Sequence, residues 1–174
     1  MTSALSPLEH INQLTDEQLR EQLTKCCGSK RWVEQMGTQR PYKNLEMLLQ
    51  QAKKIWNQLD PSDWLEAFEH HPKIGDINSL RQKFNNTKAW ASNEQAGVSE
   101  ADEQTLQGLA DGNTAYESKF GYIFIVCATG KSAAEMLDLL TNRLNNEPEE
   151  ELNIAAGEQL KITHLRLKKW FDEE

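Results

Sequence analysis

The chain has 174 residues, enough for one domain with its own hydrophobic core, and no Pro-, Gly- or Ser-rich stretch long enough to serve as a linker divides it. Its 19 Lys and Arg against 27 Asp and Glu give a formal net charge of -8, which repels phosphate backbones and anionic membranes and argues against both as partners. The opening MTSALSPLEH lacks a secretory pattern, no apolar run approaches the roughly 20 residues that span a bilayer, and the closing KKWFDEE carries no Ser-Lys-Leu address, so a cytoplasmic protein is expected.

Thr15 followed by Asp16, Glu17 and Gln18 predicts a helix start, with a capping hydroxyl and early acids; Leu14, Leu19 and Leu23 form its apolar stripe and Gly28 closes it. Ser29 caps a short helix from Lys30 to Met36 that ends at Gly37. Arg40-Pro41-Tyr42 then reads as an extended connector, because proline biases its predecessor away from helix. Asn44 opens the strongest periodic segment. There Leu45, Leu48, Leu49, Ala52, Ile55, Trp56 and Leu59 recur at three- and four-residue steps, one face of a 3.6-period helix. Asp60-Pro61-Ser62 breaks it and starts another helix through Trp64, Leu65, Ala67 and Phe68, which must stop before Pro72.

Residues 74–86 are polar and irregular, Lys88 to Gln95 reads as a short helix ended by Gly97, and Ser99 with Asp102 and Glu103 begins a longer helix toward Phe120. Tyr122 to Ala128 is ambiguous: its aromatic and β-branched content favours strand while both flanks read as helix, so it is expected to be a buried extended or helical segment. Ser132 caps a helix to Leu144. Pro148 sits in the first turn of a last helix whose stripe is read as Leu152, Ala155, Ala156, Leu160, Ile162, Leu165 and Leu167. The fold class is all-α, a single helical-bundle domain over residues 1–174 with about seven or eight helices of unequal length.

Cys26 and Cys27 are neighbours and Cys127 lies in an apolar run, so no CxxC pair or disulfide framework exists; reduced thiols are expected, with Cys127 a small buried hydrophobe. No His-x-x-x-His spacing marks a metal site. Gly130-Lys131-Ser132 lacks the earlier glycine that a phosphate loop requires, so neither metal nor nucleotide cofactor is expected.

His71 stands in HHPKIGD where a helix must end. Pro72 restricts its backbone, and imidazole exchanges protons near neutrality; the negative end of the helix dipole favours its protonated form. The plainer reading is a helix cap. Glu94 in SNEQAG could orient an imidazole or be an ordinary surface carboxylate. Arg166, between Leu165 and Leu167, could present a fork to a substrate carboxylate or be solvated, and Arg143 carries the same ambiguity.

Four ordered blocks go further: HPKIGD at 71–76, SNEQAG at 92–97, FIVCATGKSAAEML at 124–137 and EQLKITHLRL at 158–167, with WVEQM at 32–36 and RPY at 40–42 before them. Together they resemble the 2-oxo-4-hydroxy-4-carboxy-5-ureidoimidazoline (OHCU) decarboxylase family over nearly the whole chain. The resemblance implies an all-helical, homodimeric lyase that converts OHCU to (S)-allantoin and carbon dioxide, the third step from urate, with no cofactor. It implies His71 as proton donor or acid/base, Glu94 acting with it, and Pro72, Ser92, Gln95 and Arg166 lining the substrate. It further implies that the backbone of Phe124, Ile125, Val126, Cys127 and Ala128 contacts the substrate ring. A helical interaction domain, with its acidic surface and five Trp as adaptor features, and a hydrolase of related ureides are the rival readings.

Overall fold

A computed structural model describes residues 6–71, 99–128 and 130–173. They form eight helices, with no strand among the described residues, and the all-α class follows. The helices are α1 (Pro7–Gln13), α2 (Asp16–Cys26), α3 (Lys30–Gly37), α4 (Leu45–Asn57), α5 (Pro61–Glu69), α6 (Ser99–Phe120), α7 (Ala133–Arg143) and α8 (Pro148–Glu173). The helix read over Lys88 to Gln95 lies outside the described residues.

Local chemistry sets most of these boundaries. Thr15 accepts from the Gln18 N–H at 3.1 Å while the Gln18 side chain accepts from the Thr15 N–H, so two otherwise orphaned donors are satisfied reciprocally. Ser29, Asn44 and Ser132 cap α3, α4 and α7 by accepting from Trp32, Met47 and Glu135. Helix α1 is an addition to the elements read from sequence. Ser6 and Glu9 form the same reciprocal pair around Pro7 at the first helical position.

The chain divides into two compact units, one comprising the chain up to His71 together with the stretch from Ala156 onward, the other running from Pro72 to Ala155. In the first, Ile11, Leu23, Trp32, Met36, Leu48, Trp56, Phe68 and Leu167 are fully or almost fully buried. Three indoles are placed by their polar edge: Trp32 donates to the Ala52 carbonyl at 3.1 Å, Trp56 to Ala156 at 2.9 Å and Trp64 to Trp56 at 3.0 Å. Trp32, Trp56 and Trp170 are core residues, which removes them as features of an adaptor surface.

The core of the second unit joins Leu106, Leu109, Ala110 and Tyr116 of α6 to Ala133, Met136 and Leu140 of α7. Phe120, Tyr122, Phe124 and Val126 pack against it as partly buried side chains. Residues 123–128 adopt neither helix nor strand. Ile125 and Cys127 are buried and Phe124, Val126 and Ala128 only partly, the alternation of an extended segment with one face inward.

The last helix differs from its reading in one respect. Its buried positions are Glu151, Ala155, Ala156, Gln159, Thr163, Leu167 and Trp170, whereas Leu165 is 40% exposed and Leu152, Leu160 and Ile162 are half-buried. The inward stripe is a regular helical one, but three of its seven positions are polar. No helix among the described residues is long and apolar enough to cross a membrane.

Candidate functional site

Helix α5 ends at Glu69, and the N–H groups of His70 and His71 close its last turn on the carbonyls of Ala67 and Phe68, each at 3.2 Å. This hands His71 to α8, where its Nε2 meets the side-chain Oε1 of Gln159 in a short hydrogen bond. Gln159 is itself fully buried and donates from its own Nε2 to the hydroxyl of Thr163 at 3.1 Å. The imidazole is therefore anchored on one edge by a side chain that cannot rotate without losing a second partner.

Burial sets the charge state of His71. Loss of solvent lowers its pKa from the ordinary 6.5, the Gln159 hydrogen bond opposes this, and the charge of Arg166 together with His70 adds to the lowering. The net direction is opposite to the protonated form expected from the helix end, with loss of solvent the largest cause. His71 is a neutral imidazole at neutral pH.

Arg166 is exposed on α8, and its Nη1 reaches the Lys25 carbonyl at 3.4 Å. Its charge bears on His71 and on both neighbouring thiols, so His71 and Arg166 share one locality. Cys26 and Cys27 are buried free thiols, each with its pKa pushed up to about 12 by loss of solvent, which keeps them protonated and poor nucleophiles. Gly28, next in sequence, lies so close to His70 that a Cβ there would fall 2.3 Å from the imidazole Cγ.

The segment Phe124 to Ala128 belongs to the second unit, where two cations hold its backbone. Arg143 Nη1 donates to the Ile125 carbonyl at 2.6 Å, and Lys131 Nζ donates to the Cys127 carbonyl at 2.7 Å. Arg143 is buried, lies 4.6 Å from the Phe124 ring centroid and pairs with the fully buried Glu151. This settles its ambiguity in favour of an internal structural cation.

Pro72, Ser92, Glu94 and Gln95 lie outside the described residues. Among the described residues no group of three or more His, Cys, Asp and Glu is arranged to hold a metal ion. Gln159 and Thr163 are the additions to the sequence-derived set. The signal for Gln159, Thr163 and Glu151 is positional, since a polar residue on the inward stripe of a long helix requires a partner.

A half-buried imidazole oriented by a buried amide, with a guanidinium near it, is an arrangement that can exchange a proton beside an anionic group. The chain belongs to the OHCU decarboxylase family, whose model matches residues 12–168. It is 42% identical over 86% of its length to the uric acid degradation bifunctional protein TTL of Arabidopsis thaliana, of which it covers 46%. It is 31% identical over 75% of its length to the 2-oxo-4-hydroxy-4-carboxy-5-ureidoimidazoline decarboxylase of Mus musculus, covering 72% of that protein. A crystal structure of OHCU decarboxylase in the presence of (S)-allantoin is 40% identical and superposes with a TM-score of 0.69, covering 91% of this chain and 99% of that one. The chain spans less than half the length of the bifunctional relative.

Proposed function

We propose that the chain, as one catalytic domain over residues 1–174, decarboxylates OHCU to (S)-allantoin and carbon dioxide without a cofactor, the third step of urate breakdown. The observation that carries this reading is the family match over residues 12–168, within which His71 is presented as an anchored imidazole.

The substrate supplies its own electron sink. When the bond between the ring carbon and the carboxylate breaks, its electron pair passes into the conjugated ring imine and carbon dioxide leaves; a proton then adds to one ring face. The protein needs to hold the carboxylate out of the ring plane and deliver that proton from one side. Arg166 and Gln95 bind the carboxylate and balance developing charge, and Pro72, Ser92 and the backbone of Phe124 to Ala128 seat the ring. His71 serves as the acid/base: resting neutral, it takes the proton of the substrate hydroxyl that becomes the allantoin carbonyl and returns one to the ring face, with Glu94 acting beside it on the substrate. Homodimeric assembly and a cytoplasmic location complete the reading.

The test is to generate OHCU in place from urate with the two preceding enzymes and follow optical activity on adding this protein. Rapid accumulation of one allantoin enantiomer, lost in His71→Ala by about 10²- to 10⁴-fold, is the expected result. A rate no faster than the racemic background refutes it, and ring opening without carbon dioxide identifies a hydrolase instead.

A further inference from the structure

We infer that Gln159 is a positioning residue that holds His71 as the Nε2–H tautomer, leaving Nδ1 as the nitrogen that exchanges the proton with substrate. The assignment of that proton's destination rests on the decarboxylase reading above; the tautomer itself does not.

A primary amide has one accepting end and one donating end. Gln159 spends its donating end on the Thr163 hydroxyl at 3.1 Å, so the end facing His71 Nε2 is the carbonyl oxygen, which only accepts. The hydrogen in this contact therefore comes from the imidazole. Thr163 is held in turn: its hydroxyl donates to the Cys27 sulfur, the direction that lowers that thiol's pKa, so its oxygen is left to accept from Gln159. A neutral imidazole with hydrogen on Nε2 carries its lone pair on Nδ1. Gln159 and Thr163 are buried to within 1% of complete, so water does not substitute for either partner.

Among the described residues, the charged or titratable groups bearing on His71 are Arg166 of α8 and His70 of its own turn, and both disfavour a second proton. Gln159 opposes them as an uncharged acceptor. It stabilises the ring orientation without forming the full imidazolium–carboxylate pair that a glutamate would create.

Long-range ¹H–¹⁵N correlation NMR of the uniformly labelled full chain, with His71 assigned by its loss in His71→Gln, reads the tautomer directly. The expected wild-type pattern is a protonated Nε2 and an unprotonated Nδ1 at neutral pH. Gln159→Leu should mix the tautomers and lower kcat on the order of 10²-fold with KM little changed and the far-UV spectrum intact. Gln159→Glu should restore the Nε2–H pattern and most of kcat while moving the acid limb of kcat/KM to higher pH, a displacement that a merely structural role does not produce. A wild-type Nδ1–H tautomer overturns the inference, as does a Gln159→Leu protein with unaltered tautomer and kcat. If the wild type shows no turnover, the decarboxylase reading fails, and the NMR result alone upholds or overturns the role of Gln159.

Discussion

Arg143 donates from Nε, at 2.9 Å, and from Nη2 to a single oxygen, Oε2, of Glu151 on the following helix. The same oxygen accepts from the Tyr116 hydroxyl, while Asn146 donates to Oε1 at 3.1 Å. Glu151 is fully buried, so every group that balances its charge is a protein group. Burial and the Glu151 contact both push the Tyr116 phenol upward, which keeps it a donor at any working pH.

Removing one partner strands a charge away from water. Glu151→Ala is expected to cost about 3–5 kcal/mol, because breaking a buried pair exposes the full desolvation cost of what remains. For a chain of this size that lowers the melting temperature by roughly 10 °C. Arg143→Met should cost a similar amount and in addition release the Ile125 carbonyl, loosening the Phe124 to Ala128 segment. Thermal melts of both variants check this. A loss under 1 kcal/mol in either would mean that the pair is solvated.

Glycines on α6 set how closely it packs on α7. A Cβ at Gly112 would lie 2.6 Å from Leu140 Cδ2 and 3.1 Å from its Cγ, and Leu140 is fully buried. Gly112→Ala is therefore expected to destabilise by up to about 2 kcal/mol net, an overpacking cost of about 1–3 kcal/mol set against a gain of about 1 kcal/mol in helix propensity. Gly157→Ala is the control, since its Cβ meets nothing within 4 Å; it should stabilise by about 0.5–1 kcal/mol. Urea unfolding of the two variants decides the matter by the sign of each change.

Capped helix starts were legible in the sequence because a cap is a contact between residues three apart. Ser29, Asn44 and Ser132 needed nothing beyond their own turn, and the pair Ser6 and Glu9 was equally available although unread. The extended run at 123–128 was undecided because β-branched content does not separate a strand from a segment held by side chains, here Arg143 and Lys131. The pairing of His71 with its anchor was not legible. Gln159 lies 88 positions away, and only the inward stripe of α8 marks it as a buried polar group in need of a partner. Leu165 misled in the opposite direction, an apolar residue that the helix turns outward.

Two histidines tie stability to pH in the same direction. His71 and His164 both have pKa values lowered by burial, and His164 also contacts the Leu49 carbonyl at 3.1 Å. Below about 6.5 the unfolded chain takes up protons that the folded chain resists, so their contribution is complete above the unfolded value and is lost as pH falls through it toward the folded values. The urea midpoint of the wild type should fall between about pH 7.5 and pH 5.5, and His164→Gln should flatten that fall while lowering the midpoint at both ends. An undiminished slope in His164→Gln would remove His164 from the account. The acid limb of kcat/KM should likewise lie below the ordinary histidine value, since a resting neutral His71 is protonated only after its pKa is crossed.

Gly28 links the end of α2 to the turn that carries the imidazole. A methyl group at Gly28 would fall 2.3 Å from His70 Cγ, 2.5 Å from Nδ1 and 2.6 Å from Cβ. Rotating the His70 ring relieves the first two contacts but not the third, because Cβ moves only with the backbone. That backbone continues into His71, whose Nε2 must stay against Gln159. Gly28→Ala is thus expected to misplace the His71 imidazole, the proposed acid/base, by a fraction of an ångström to an ångström, a displacement that can cost on the order of 10²-fold in kcat. Helix content should be retained, because the flanking caps, the Cys27 N–H donating to the Leu23 carbonyl and the Trp32 N–H donating to the Ser29 hydroxyl, use no group of Gly28. Steady-state turnover beside a far-UV spectrum separates the outcomes: a folded variant with near-normal kcat would show that the turn shifts without carrying His71 along.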